Sequence, residues 1–168
     1  AVAPVITEQP AARSVVAGGS TTFVVGASGA PTPTYQWRKN GGAIAGATNA
    51  SYTLANVQAG DAANYDVVVT NACGNATSNA ATLTVSVAPS VTGHPSSQTI
   101  CTGSAANFSV TATGTAPLSY QWRKGGSNIS GATSSSYSIP SVAAGDPANY
   151  DVVVTKAWGN ATGNPGAA

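Results

Sequence analysis

The chain has 168 residues, of which only 7% are charged, and a formal net charge of +1. So balanced and sparse a charge set offers no basic or acidic face for nucleic acid, an anionic membrane or an acidic substrate. No run approaches the ~20 apolar residues that a membrane helix requires, so no membrane insertion is expected. The absence of Met suits a processed mature protein or a segment of a longer one.

In chain order, the opening residues with Pro4 and Pro10 read as an edge strand, because proline cannot donate to a sheet ladder. Arg13 to Ser20 adds a second short strand and a Gly turn. From Ser20 to Ser28, Phe23, Val25 and Ala27 alternate with Thr22, Val24 and Gly26, the period of one strand with a buried face. After the Gly29–Pro33 loop comes Tyr35–Lys39, where Tyr35, Trp37 and Lys39 share one face and Gln36 and Arg38 the other. A Gly/Ala/Thr stretch too short for a helix leads to a strand anchored by Tyr52 and Leu54. Asp61 then precedes Tyr65 and a Val-rich strand. A hairpin turning near Cys73 to Ala76 and a strand ending at Val85 complete the series.

The series then repeats. YQWRK at Tyr35 returns at Tyr120, and DVVVT at Asp66 returns at Asp151, both at an offset of 85 residues that holds without a gap. A period of this kind marks a duplicated unit. Two domains follow, residues 1–86 and 87–168, and the last strand of the second lacks the TLTV that completes the first. With no flexible insert between Val85 and Pro89, the pair is expected to be stiff.

The Trp37 strand, with Asp61 four residues before Tyr65 and Val67 two residues after it, resembles the immunoglobulin family. The resemblance implies an all-β fold of two tandem immunoglobulin-like sandwiches, closest to bacterial repeats that lack the buried disulfide. On this resemblance Val25 and Val67 stand at the bridging-cysteine places, Trp37 packs on them and Tyr65 is the corner tyrosine; Val110, Val152, Trp122 and Tyr150 repeat the set. It also puts the hairpin carrying Cys73 or Trp158 at one pole of a domain and Val16 or Cys101 at the other. Val16 and Trp158 are therefore expected to form an interdomain joint.

Catalysis lacks material. The one His, His94, has no second base for a nucleophile triad. Five acids, Glu8, Asp61, Asp66, Asp146 and Asp151, are too scattered for a glycosidase pair or a calcium cage. No catalytic residue, metal or cofactor is expected. Asp66 with Arg38, and Asp151 with Arg123, read as surface pairs, Asp61 and Asp146 as turn residues, and His94 as a surface or interdomain residue. Asn49, Asn75, Asn107, Asn128 and Asn160 open N-x-S/T triplets read as surface turns.

Cys73 and Cys101, the only two cysteines, lie at the outer poles of two domains each roughly 35 Å long at ~3.3 Å per residue. A disulfide needs Cα atoms within about 7 Å, so pairing within one chain is excluded and pairing between chains stacked head to tail is expected. The reading is a non-catalytic extracellular or cell-surface structural or adhesive module, a stiff stalk or fibre segment that self-associates or joins neighbouring repeats. The alternative is a carbohydrate- or protein-binding accessory module of a larger secreted protein.

Overall fold

The computed structural model describes residues 1–167. The chain divides into two compact units, Ala1–Ser86 and one beginning at Val87. Unit 1 contains β1 (Val2–Glu8), β2 (Arg13–Val16), β3 (Thr21–Val24), β4 (Gly26–Ala30), β5 (Thr34–Lys39), β6 (Gly42–Ala43), β7 (Ser51–Leu54), β8 (Ala63–Asn71), β9 (Gly74–Thr77) and β10 (Ala81–Ser86). One layer runs β2-β10-β8-β5-β6 with β9 also on β8; the other consists of β1-β4 and β3-β7. All pairings are antiparallel except β2 with β10, where Arg13–Val16 lies parallel to Leu83–Ser86. The first strand thus changes layers between Glu8 and Arg13, across the buried Pro10.

The single strand expected from Ser20 to Ser28 is two. β3 pairs with β7 while β4 pairs with β1, and Val25 between them belongs to neither ladder. Its amide instead donates to Ala50 O at 2.9 Å. The alternation survives the break, with Phe23 and Val25 buried and Val24 exposed. Between β5 and β6 the chain reverses through Asn40 (φ 48°) and Gly41 (φ 81°). Two positive φ values are what a two-residue turn with the twist of its strands requires, and Asn-Gly tolerates them.

Unit 2 contains β11 (Ser90–Gly93), β12 (Ala106–Ser109), β13 (Thr111–Thr113), β14 (Ser119–Lys124), β15 (Ser127–Asn128), β16 (Ser136–Ile139), β17 (Asn149–Lys156) and β18 (Gly159–Ala167). Its last strand is one continuous nine-residue element where unit 1 has β9 and β10. The counterpart of Leu83 is Ala168, which lies outside the described residues, so the expected incompleteness of this strand falls there.

Each core is organised around its Trp. Trp37 is fully buried and stands opposite Val67 in the β5–β8 register. Its Nε1 donates to Asn49 O at 2.9 Å, so burial leaves no polar atom unpaired. Phe23, Val25, Val57, Tyr65, Val69 and Leu83 share the cluster, and Phe23 stacks on Tyr65 at 5.0 Å. In unit 2, Trp122, Val110, Val152 and Tyr150 form the corresponding cluster with Phe108.

The Tyr corner is built by Asp61. Its carboxylate accepts the Gln58 amide at 2.9 Å while its carbonyl accepts the Tyr65 hydroxyl at 2.9 Å, closing the short 3-10 turn Ala59–Asp61. Lys39, at the end of the Trp strand, sends Nζ to Gly60 O and to Asp61 Oδ1. Asp146, Tyr150 and Lys124 repeat every one of these bonds. The Gln58 amide, opposed in part by burial and helped by Lys39, holds the Asp61 carboxyl below its ordinary range. Burial above all, with the Asp61 charge, pushes the Tyr65 hydroxyl up to about 12.

Trp37→Ala removes the centre of the first core and is expected to destabilise unit 1 by about 3–5 kcal/mol. Thermal melts followed by unit-specific amide signals will show unit 1 melting early and unit 2 unchanged. The tyrosine corner has a pH signature. A hydroxyl that titrates near ~10 in the unfolded chain and near about 12 when folded contributes stability that is complete below about pH 10 and lost as the pH rises toward 12. Tyr65→Phe is expected to cost about 0.5–1.5 kcal/mol at neutral pH and to remove the share of alkaline destabilisation that belongs to Tyr65, measured by urea midpoints.

Candidate functional site

On the outward face of the larger layer, Arg38 of β5 lies directly across from Asp66 of β8. Its Nε and Nη2 bind the two carboxylate oxygens at 2.7 Å each, a two-pronged pairing. Arg123 and Asp151 repeat it at 2.8 and 2.6 Å. The hydrogen bond to the carboxylate raises each guanidinium above its usual range. Their side chains keep 15–29% exposure, so each pair is worth about 0–1 kcal/mol. Asp66 and Asp151 are thereby occupied, as Asp61 and Asp146 are by their lysines. Among the described residues no three His, Cys, Asp or Glu side chains gather where a metal ion could be held. Among the described residues no helix is long and apolar enough to cross a membrane. The arrangement can hold ligands through hydroxyls, amides and apolar contact, and offers no nucleophile–base pair.

The two ends of each unit carry two sharp differences between the repeats, Cys73 against Trp158 and Val16 against Cys101. Cys73 lies in the turn between β8 and β9, its amide donating to Asn71 Oδ1 at 2.8 Å. Asn71 in turn donates to Val2 O and Pro31 O, which fixes the hairpin at the end of the unit where β1 begins. Trp158 takes the same place in unit 2 and is 46% exposed. There Lys156, the counterpart of Asn71, reaches Pro117 O at 3.0 Å. Val16 ends β2 beside Ser86 and is 38% exposed. Cys101 holds that place in unit 2, its carbonyl accepting the Ser104 amide. Both thiols are free and exposed.

Some features escaped the sequence reading. His94 is tied within its own unit: its Nδ1 accepts the Asn164 amide at 3.0 Å. Gln9 does the same for Asn79 in unit 1 at 2.8 Å. The 85-residue offset places Gln9 on His94 and Asn79 on Asn164, so that correspondence was the available signal. The lysines at the corners were also missed. Four of the N-x-S/T triplets do not mark turns: Asn75, Asn107, Asn128 and Asn160 stand on strands, whereas Asn49 lies in a bend, and all five asparagines are exposed. Each unit further has a shallow recess between the loop after its sixth or fifth strand and the following strand. It measures about 340 Å³ beside Thr48, Ser51, Tyr52 and Thr53 and about 250 Å³ beside Thr133, Ser136, Tyr137 and Ser138. No charged side chain lines either one.

Comparison with known proteins follows this geometry closely. Endoglucanase C of Cellulomonas fimi is 36% identical over 97% of this chain, which spans 16% of that protein. Roundabout homolog 1 of Rattus norvegicus is 31% identical over 74% of the chain, which spans 8% of it. The chain therefore spans less than a fifth of either of these two relatives. Among solved structures, the I-band fragment I67-I69 from titin superimposes with a TM-score of 0.77 at 19% identity, over 99% of this chain and 65% of that one. The N-terminal four Ig domains of Dscam1 isoform 6.9 give 0.72 at 24% identity, over 99% of this chain and 45% of that one. At such identities the likeness concerns fold alone. The sequence profile of the immunoglobulin domain matches residues 3–71 and again 88–155, one stretch on each sandwich. With a buried Trp, a corner Tyr and this profile in both units, the chain belongs to the immunoglobulin domain family and carries two consecutive members of it.

Proposed function

We propose that this pair of domains is a non-catalytic, extracellular structural or adhesive module, a stiff spacer that joins head to tail with further copies or with neighbouring repeats of a longer array. The observation that carries the reading is the placing of the two thiols. Both are exposed and unpaired, one at the hairpin tip of unit 1 and the other at the opposite kind of end in unit 2. A disulfide from Cys101 of one chain to Cys73 of the next links unlike ends and so extends head to tail from copy to copy. Its formation takes two electrons and two protons from the thiols and gives them to an oxidant such as oxidised glutathione, which becomes two thiols. An oxidising compartment outside the cell supplies such conditions. Only three residues separate β10 from β11, which supports a short, stiff connection.

A second reading, an accessory module of a secreted enzyme, is favoured by one finding: the match to endoglucanase C runs along 97% of the chain while covering a small part of that protein. Uncharged faces rich in Ser and Thr suit a neutral polysaccharide.

Two measurements separate these readings. Protein purified without reductant, or exposed to oxidised glutathione, is expected to give a ladder on non-reducing electrophoresis that collapses with reductant. Either Cys73→Ser or Cys101→Ser alone is expected to abolish it; a dimer that survives one of them refutes head-to-tail linkage. Incubation with insoluble glucan is expected to leave the chain in the supernatant, and retention on the solid would put the accessory-module reading first.

A further inference from the structure

The repeats make one hydrogen bond with different chemistry, and the difference is titratable. In unit 1, Gln9 Oε1 accepts the Asn79 amide, after which the chain enters the four-residue parallel ladder of β2 with β10. In unit 2, residues 94–98 form a strap along β18. It is held by Asn164 N to His94 Nδ1 at 3.0 Å, Ala167 N to Ser97 Oγ at 3.2 Å and Gln98 N to Ala167 O at 2.6 Å. The strap lies so close that a Cβ on Gly166 would stand 2.8 Å from Ser96 O. Unit 1 has Ala81 at the corresponding position.

A carboxamide oxygen accepts at any pH in the physiological range. An imidazole nitrogen accepts only while it is unprotonated, since the imidazolium presents N–H at both ring positions. Protonation at Nδ1 would set two N–H groups against each other at Asn164. His94 and Asn164 are both exposed, so solvent protons have access. The surrounding charges do not interfere. Strands β11, β13 and β18 carry no ionisable side chain, and on β17 Tyr150 is bonded to Asp146 O, Asp151 is held by Arg123 and Lys156 by Pro117 O.

We infer that His94 is a pH-operated latch on the edge of unit 2: neutral, it holds the strap against β18; protonated, it releases the middle of that strand, while Gln9 keeps the same edge of unit 1 closed. The sign follows from the geometry. The bond needs a free lone pair on Nδ1, so it exists while the imidazole is neutral and is lost on protonation in acid.

The test is amide hydrogen exchange on the intact chain, corrected for intrinsic rates, at about pH 7.5 and about pH 5, which bracket imidazole titration. Protection of Asn164 is expected to fall roughly threefold to tenfold on acidification, the loss of one modest hydrogen bond, while Asn79 in the same molecules stays protected. His94→Gln, which installs the acceptor of unit 1, is expected to keep Asn164 protected at both values, and His94→Ala to leave it unprotected at both. Equal pH response of Asn79 and Asn164 in the unaltered chain overturns the inference, as does a pH-dependent loss that persists in His94→Gln. The comparison within the unaltered chain decides even where a variant does not fold.

Discussion

A fully buried indole with its nitrogen paired is the contact on which each domain depends. Trp37 fills the space between the layers against Val25 and Val67, and its bond to Asn49 O holds the loop that leads into β7. In relatives with a disulfide at the Val25 and Val67 places, a bridge across 42 residues of chain would restrict the unfolded state by about 4 kcal/mol. Here no such restraint exists, so the two layers are joined by packing and by the ring cluster of Phe23, Trp37, Tyr52 and Tyr65. The corner of Asp61, Tyr65 and Lys39 then fixes the entry of β8 into that cluster, which is why all three are repeated as a set.

Scarcity of charge gives each ion pair a defined place. Four pairs account for every aspartate, and two of them tie strand to strand while two tie strand to corner. Beyond these pairs the surface is rich in Ser, Thr, Asn and Gly, with a few exposed apolar side chains such as Val2, Val5 and Trp158, and its sparse charge gives no strong field to steer a partner. Whatever these domains contact is met at short range, by shape and by residues in which the repeats diverge. Among them are residues at the ends of the units and along the edge held by Gln9 or His94, whereas the core positions Phe23, Val25, Trp37, Tyr65, Val67 and Val69 recur unchanged in the second unit.

Periodicity and repetition determined much of this from sequence alone. Alternation put Trp37 inward and Arg38 outward because successive side chains on a strand must face opposite ways, and the 85-residue offset demanded that whatever held for one unit hold for the other. The Arg38–Asp66 pair was legible too, once the neighbouring strands were named by family resemblance. The break at Val25 was not, because periodicity records which face a side chain takes and not which strand lies beside it; β3 and β4 separate only since their partners lie on opposite sides. Lys39 was placed on the core face without a role, as its long side chain ends at a turn some twenty residues further along. The acceptor role of His94 rests on an amide 70 residues away, and the free, exposed state of both thiols on the paths of the hairpins that carry them. Local pattern fixes direction and period, whereas contact between distant segments is settled only when the sheets close, and it is there that the latch and the thiol-bearing ends took their form.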